Sequence, residues 1–156
     1  MKLRLIALGA NQPSWVDDGV NEYSKRFAAD WPFELIELKP EKRAANRSIE
    51  AVLATEAERI RAQLPRQALT IALDERGEQL TTRELSAKLT LWARDGPSAA
   101  FVIGSADGLD ATFKNQAHFR LGMSRLTLPH GLARIFLTEQ LYRAVSLLSA
   151  HPYHRD

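Results

Sequence analysis

An α/β fold, with a mostly parallel sheet and flanking helices in a single domain spanning residues 1–156, is the class this sequence predicts. Three observations carry it. Short β-like apolar runs recur five times, segments of helical period separate them, and capping or breaking residues mark each change of pattern. The 156 residues, 45% hydrophobic and 26% charged, suffice for one core and are ordinary for a globular protein. No linker, repeat or low-complexity segment divides them.

The first strand is expected over residues 2–9. Its charged start looks like a signal peptide, but the apolar run breaks at Asn11, Gln12 and Pro13, short of the roughly 7–15 residues an apolar h-region needs. Ser14 is then expected to cap a helix bearing Val16, Val20, Tyr23 and Phe27 at helical spacing, with Asp17 and Asp18 complementing the dipole of its first turn. Residues 33–38 read as the second strand, and Lys39, Lys42, Arg43 and Arg47 make the following loop basic. Ser48 caps a helix carrying Ile49, Val52, Leu53, Ile60 and Leu64, which Pro65 stops. Residues 68–73 form the third strand. Thr81 and Glu84 match a capping box, opening a helix with Leu85, Leu89 and Trp92 on one face and Gly96 beyond its end. The fourth strand covers residues 99–103. Asp110 caps a short helix to about residue 118, a fifth strand lies within 120–128, and a final helix runs from about 131 to 150.

Composition excludes several functions. With no cysteine, there is no disulfide framework, thiolate zinc site or catalytic thiol, which is compatible with the cytoplasm. No metal site is expected. No segment reads as membrane-spanning, and neither G-x-G-x-x-G nor G-x-x-x-x-G-K-[ST] is present, which disfavours the usual dinucleotide and triphosphate sites. Net charge is only +2. A basic partner surface must therefore be local.

Ligands of parallel sheets gather beyond the carboxyl ends of the strands. Three such ends stand out: residues 73–77, the glycine turn 104–108, and residues 126–129. A glycine at 104 suits close ligand approach, although the same residue also reads as an ordinary turn glycine. The chain ends in His151-Pro152-Tyr153-His154-Arg155-Asp156, unusually rich in groups that stack, hydrogen-bond or carry charge. The final helix is apolar nearly all round, with Leu132, Ile135, Phe136, Leu137, Leu141, Val145, Leu147 and Leu148, so it needs cover on more than one side. Either a second subunit supplies it or the helix is central in the monomer.

Four ordered segments resemble the RlmH (YbeA) family of SPOUT-class methyltransferases: Phe101-Val102-Ile103-Gly104-Ser105-Ala106-Asp107-Gly108-Leu109, Leu126-Thr127-Leu128-Pro129-His130, Glu139-Gln140-Leu141-Tyr142-Arg143-Ala144 and His151-Pro152-Tyr153-His154-Arg155. The resemblance covers the whole chain. It implies a C-terminal trefoil knot, a homodimer, and S-adenosylmethionine as methyl donor for N3 of a pseudouridine in helix 69 of 23S ribosomal RNA, the large-subunit rRNA, within the assembled ribosome. It implies donor contacts from Leu73, Gly104, Met123, Ser124, Arg125, Leu126, Thr127 and Leu128. One departure stands out: Ser105 and Asp107 replace the second glycine and the glutamate of the usual Ile-Gly-Gly-x-Glu-Gly, so Ser105 is expected to meet backbone angles better suited to glycine.

N3 of the target must lose a proton, and a nearby cation favours the resulting anion. His154 and Arg155 are the candidate catalytic residues, with Tyr153 as a stacking surface for RNA. Lys39, Lys42, Arg43, Arg47, Arg125, Arg134 and Arg155 are candidate phosphate contacts, although the 39–47 run reads equally as a solvated loop, while Arg59 and Arg61 read as surface charges. His130 reads equally as a loop hydrogen-bonder, and Arg143 as an interface ion-pair partner. Two other classes stay open: a non-catalytic ribosome-binding or assembly factor, and a small-molecule enzyme using another nucleotide.

Overall fold

The computed structural model describes residues 1–149 and 152–153. Ten elements follow in order: β1 Lys2–Leu8, α1 Ser14–Ser24, β2 Phe33–Leu38, α2 Ile49–Gln63, β3 Leu69–Gln79, α3 Thr82–Asp95, β4 Ser98–Ile103, α4 Ala111–Gln116, β5 Phe119–Gly122 and α5 His130–Leu148. The five strands form one sheet in the order β2-β1-β4-β3-β5, every pair parallel. All carboxyl ends therefore open on one edge.

Strands buried on both faces must be apolar at successive positions. In β4 all six residues are buried; Ala99, Phe101 and Ile103 face one layer, and Ala100 and Val102 face the other. The first layer holds Leu85, Leu89 and Trp92 of α3 with Leu137, Leu141 and Val145 of α5. Trp92 meets Phe101 and Phe119 edge-on at 6.2 and 5.6 Å, an aromatic geometry favoured by the ring quadrupoles. The second layer holds Ala57 and Ile60 of α2 and Phe113 of α4.

Local signals set most boundaries. Ser48 accepts from the Ala51 amide, Asp110 from the Phe113 amide, and Thr81 with Glu84 completes the capping box. Glu84 is held below the usual carboxylate range by its bonds to Thr81. Ser14, by contrast, is not a cap. Pro13 occupies that position without a side-chain bond, and Ser14 begins the helix. Phe27 lies past the end of α1 and stacks on Phe33 at 5.0 Å.

Strand lengths differ more. Expected to end at 73, β3 continues to Gln79 through an irregularity, after which Glu78 and Gln79 pair with Leu121 and Gly122. Expected to reach 128, β5 ends at Gly122, and residues 123–129 are irregular. Past Gly122 there is no further β3 backbone to pair with, so hydrophobicity alone cannot prolong the strand. The irregular β3 segment depends on Gly77: a Cβ there would lie 2.5 Å from the Gly122 amide nitrogen and 2.6 Å from the Leu121 carbonyl carbon. Gly77→Ala is accordingly expected to lower unfolding free energy by about 1–3 kcal/mol, as overpacking does. Denaturant unfolding checks it, and an unchanged midpoint would remove the close-approach argument.

Candidate active site

Two recesses open at the carboxyl edge of the sheet. The more apolar has a volume of about 190 Å³ and is walled by Leu73, Ile103, Leu121, Met123, Leu126, Leu128 and Ala133, with Asp74, Glu75, Ser124 and Thr127 adding polar groups. Beside it, a more polar recess of about 370 Å³ lies between Leu73, Asp74 and Glu75 at β3 and the turn carrying Ser105, Asp107 and Gly108. Asp74, its side chain only 6% exposed, faces Lys114 of α4 at 3.4 Å and accepts from the Arg76 amide.

Six of the eight expected donor contacts line the apolar recess: Leu73, Met123, Ser124, Leu126, Thr127 and Leu128. Arg125 is exposed and Gly104 does not line it. Asp74, Glu75, Ile103, Leu121 and Ala133 complete the wall. The first two carried a signal in the sequence, as the polar end of a strand, whereas Ala133 depends on how α5 crosses the edge.

Of the two readings of Gly104, close ligand approach and an ordinary turn glycine, the backbone geometry supports the second. A Cβ would sit 2.3 Å from the Gly108 carbonyl oxygen, so the bare α-carbon is required by the turn's own backbone. The left-handed angle falls on Gly108, at φ +85°, and Ser105 adopts no positive φ. Ser105 is instead buried, donating to Glu56 Oε2 at 2.7 Å and accepting from Arg43 Nη2 at 2.8 Å.

Two expected phosphate contacts are committed to the fold. Arg134 has no solvent exposure and is ion-paired with Glu37 while donating to the Gly9 carbonyl. Arg43 bonds to Asp107, Glu56, Ser105 and the Glu41 carbonyl. Arg47 and Arg59 both pair with Glu41, so Arg59 also braces this loop. Arg61 pairs with Glu58 at the surface.

His130 begins α5 and is hydrogen-bonded to the Gly104 backbone. Burial, reinforced by neighbouring Arg134, pushes its imidazole down to about 4 against that bond, so it is neutral near pH 7. Its buried Nε2 has no hydrogen-bond partner among the described residues.

His154 and Arg155 lie outside the described residues. Tyr153 lies against α5: its ring is 4.7 Å from Tyr142 and 4.8 Å from the Arg143 guanidinium, and its hydroxyl donates to Glu139 at 3.1 Å. Burial first, then Glu139, pushes that phenol up to about 12. Arg143 also pairs with Glu139 at 2.6 Å within its own helix. Among the described residues, no cluster of His, Asp and Glu is placed to hold a metal, and no helix is long and apolar enough to cross a membrane.

A parallel α/β sheet with an apolar, acid-rimmed recess beyond its strand ends defines a protein of the open α/β class with a ligand recess where such sheets bind their ligands. The chain belongs to the family described as "Predicted SPOUT methyltransferase", whose model matches residues 1–154. It is 49% identical over 155 residues to a ribosomal RNA large subunit methyltransferase H of Burkholderia thailandensis, covering 99% of each chain. A Burkholderia mallei protein of the same name is 48% identical over the same span, again 99% of each. The fold matches that of a probable methylase family protein from Haemophilus influenzae with a TM-score of 0.59 at 15% identity, over 99% of this chain and 70% of that one.

Gly104→Val is expected to impair folding as well as ligand binding, because the new side chain meets the Gly108 backbone before any ligand. Thermal unfolding of the purified variant tests this; wild-type stability with loss of ligand affinity alone would restore the ligand-access reading. His130 gives a pH prediction. Its folded pKa is below the unfolded value of about 6.5, so the unfolded state takes up the proton first and the associated stability is lost as pH falls from about 6.5 towards about 4. The stability difference between wild type and His130→Gln should shrink across that window. Parallel curves would show that His130 stays free to protonate.

Proposed function

We propose that this chain is a cytoplasmic homodimeric enzyme, one domain per subunit, that methylates N3 of a pseudouridine in helix 69 of 23S ribosomal RNA on the assembled ribosome. S-adenosylmethionine is the methyl donor in this reading. The observation that carries it is the recess framed by the ends of β3 and β4 and the 123–128 loop, in a chain almost half identical end to end to proteins named ribosomal RNA large subunit methyltransferase H. The trefoil path is part of the same reading, supported by the place of β5 beside β3 and by the 123–128 loop that lies with the ends of β3 and β4 before α5 begins.

The recess suits that donor. Leu73, Leu126, Leu128 and Ile103 offer apolar walls to an adenine ring, while Asp74 and Glu75 offer negative charge to a sulfonium and an ammonium group. Bound there, the donor supplies an electrophilic methyl carbon. The chain's own task is to hold the target base in line and to favour its N3 anion. His154 and Arg155 are proposed for the second task, and Tyr153 for base stacking.

In this reading the tail serves the partner's recess. Tyr153 sits on Tyr142, nine residues along α5 from Ala133 of the recess, or roughly 14 Å at the helical rise. The outer face of α5, with Leu132 and Phe136 each 44% exposed beside Ile135, Leu128 and Tyr23, supplies a shallow apolar groove for a second copy.

Wild-type protein should transfer labelled methyl groups to ribosomes lacking the modification, with N3-methylpseudouridine recovered by mass spectrometry of nucleosides. Removing residues 151–156 should preserve dimer mass and donor affinity but abolish transfer. No transfer by the wild type would leave a ribosome-binding factor. Full transfer by the truncated chain would sink the role of the tail.

A further inference from the structure

The turn at residues 104–108 forms one wall of the polar recess beside the donor site, yet little within it fixes its shape. Its own bonding consists of the Gly108 amide donating to the Ser105 carbonyl at 2.9 Å and an antiparallel bridge between the same residues. Ala106, Asp107 and Gly108 are exposed. A solvated turn of this kind is ordinarily variable.

What holds it comes from elsewhere in the chain. Glu56 of α2 is 1% exposed, and a carboxylate removed from water needs partners. It accepts from the Glu41 amide at 2.9 Å, Arg43 Nη1 at 2.8 Å and the Ser105 hydroxyl at 2.7 Å. Arg43 Nη2 reaches Ser105 Oγ at 2.8 Å and Asp107 Oδ2 at 2.6 Å, while its Nε reaches the same Asp107 oxygen at 2.9 Å. With Nη1 also donating to the Glu41 carbonyl at 2.7 Å, the guanidinium makes five hydrogen bonds. A guanidinium has five N–H donors, so none is left for a phosphate. Asp107 and then Glu56 raise the Arg43 pKa further, which keeps the cation in place at any working pH.

We infer that Arg43 and Glu56 are positioning residues that clamp the 104–108 turn, through Ser105 and Asp107, as the wall that the polar recess presents beside the adjoining donor recess. The inference rests on the proposed donor reading of that recess. It also assigns a role to one departure from the usual glycine-turn pattern: a glycine at 105 would offer no hydroxyl to Glu56 or Arg43. The basic 39–47 loop thus acts on the donor side of the reaction through Arg43, in place of the phosphate contact its charge suggested.

The test compares the full-length wild type with Arg43→Ala, Arg43→Lys, Asp107→Ala and the Arg43→Ala/Asp107→Ala double variant. S-adenosylmethionine affinity is measured by calorimetry, and exchange of the Gly108 amide is read against the Leu3 amide, which bonds Pro32 far from the turn. Displacing the turn is expected to weaken donor affinity by between about tenfold and about a hundredfold in Arg43→Ala. Lysine should not rescue it, because one ammonium cannot reproduce the fork. The double variant should be little worse than either single change, as expected for residues acting as one unit. Gly108 exchange should accelerate while Leu3 exchange follows global stability alone, and the KM for ribosomes and its salt dependence should not change. Unaltered donor affinity and Gly108 exchange in folded Arg43→Ala would overturn the clamp. So would a raised ribosome KM with a shallower salt slope, which would mark Arg43 as a phosphate contact. Should Arg43→Ala not fold, Arg43→Lys and Ser105→Ala carry the same comparison. If the wild type binds no donor, the proposed function fails, and Gly108 exchange still decides the clamp.

Discussion

The buried guanidinium of Arg134 is the constraint around which the functional edge is arranged. It stands on α5 with no solvent exposure, ion-paired to Glu37 of β2 and bonded to the carbonyl of Gly9 just after β1. A charge so placed is tolerated only with its partners in position, and loss of one strongly destabilises the state. The last helix is thereby tied to the first two strands, although 97 residues separate Arg134 from Glu37. Fixing the start of α5 also fixes Ala133 against the recess and His130 against the Gly104 backbone. The loop at 123–129 must then span from β5 to that anchored helix, which brings Met123, Leu126 and Leu128 to the recess.

Around this anchor, the strand-end connections satisfy one another's polar groups. Asp74 meets Lys114, Ser105 meets Glu56, and Arg43 bridges the basic loop to the glycine turn. Each contact joins segments distant in sequence, so the recess behaves as a consequence of the whole edge. At the opposite layer, Thr82 donates to Gln140 at 2.7 Å and Ser86 to the Ala144 carbonyl at 2.9 Å, seating α3 on α5 without exposing either helix's buried polar groups.

The two faces of α5 have different tasks. Leu137, Leu141, Ala144 and Val145 are buried against the sheet, whereas Leu132 and Phe136 face outward. Beyond them, Glu139, Tyr142 and Arg143 receive Tyr153, so the same helix carries a core face, an apolar outer face and the seat of Tyr153. The proposed dimer and the proposed reach of the tail draw on one element, and a change in its packing would affect both.

Alternating patterns and local caps made the fold class legible in the sequence. Ser48, Thr81 with Glu84, and Asp110 each act through bonds spanning three residues, and β4 declares its double burial by composition alone. Leu73 and the 126–128 run were legible as strand-end positions, whereas Met123 and Ser124 came only from the family resemblance; all six line one recess. Tertiary structure decided the rest. Arg43 and Arg134 read as candidate phosphate contacts because charge is visible in sequence and pairing partners 64 and 97 residues away are not. The end of β5 was misplaced because a strand lasts only as long as its neighbour offers backbone to pair. Gly104 was recognisable as special, but only the approach of Gly108 in space showed that its bare α-carbon makes room for the protein's own chain.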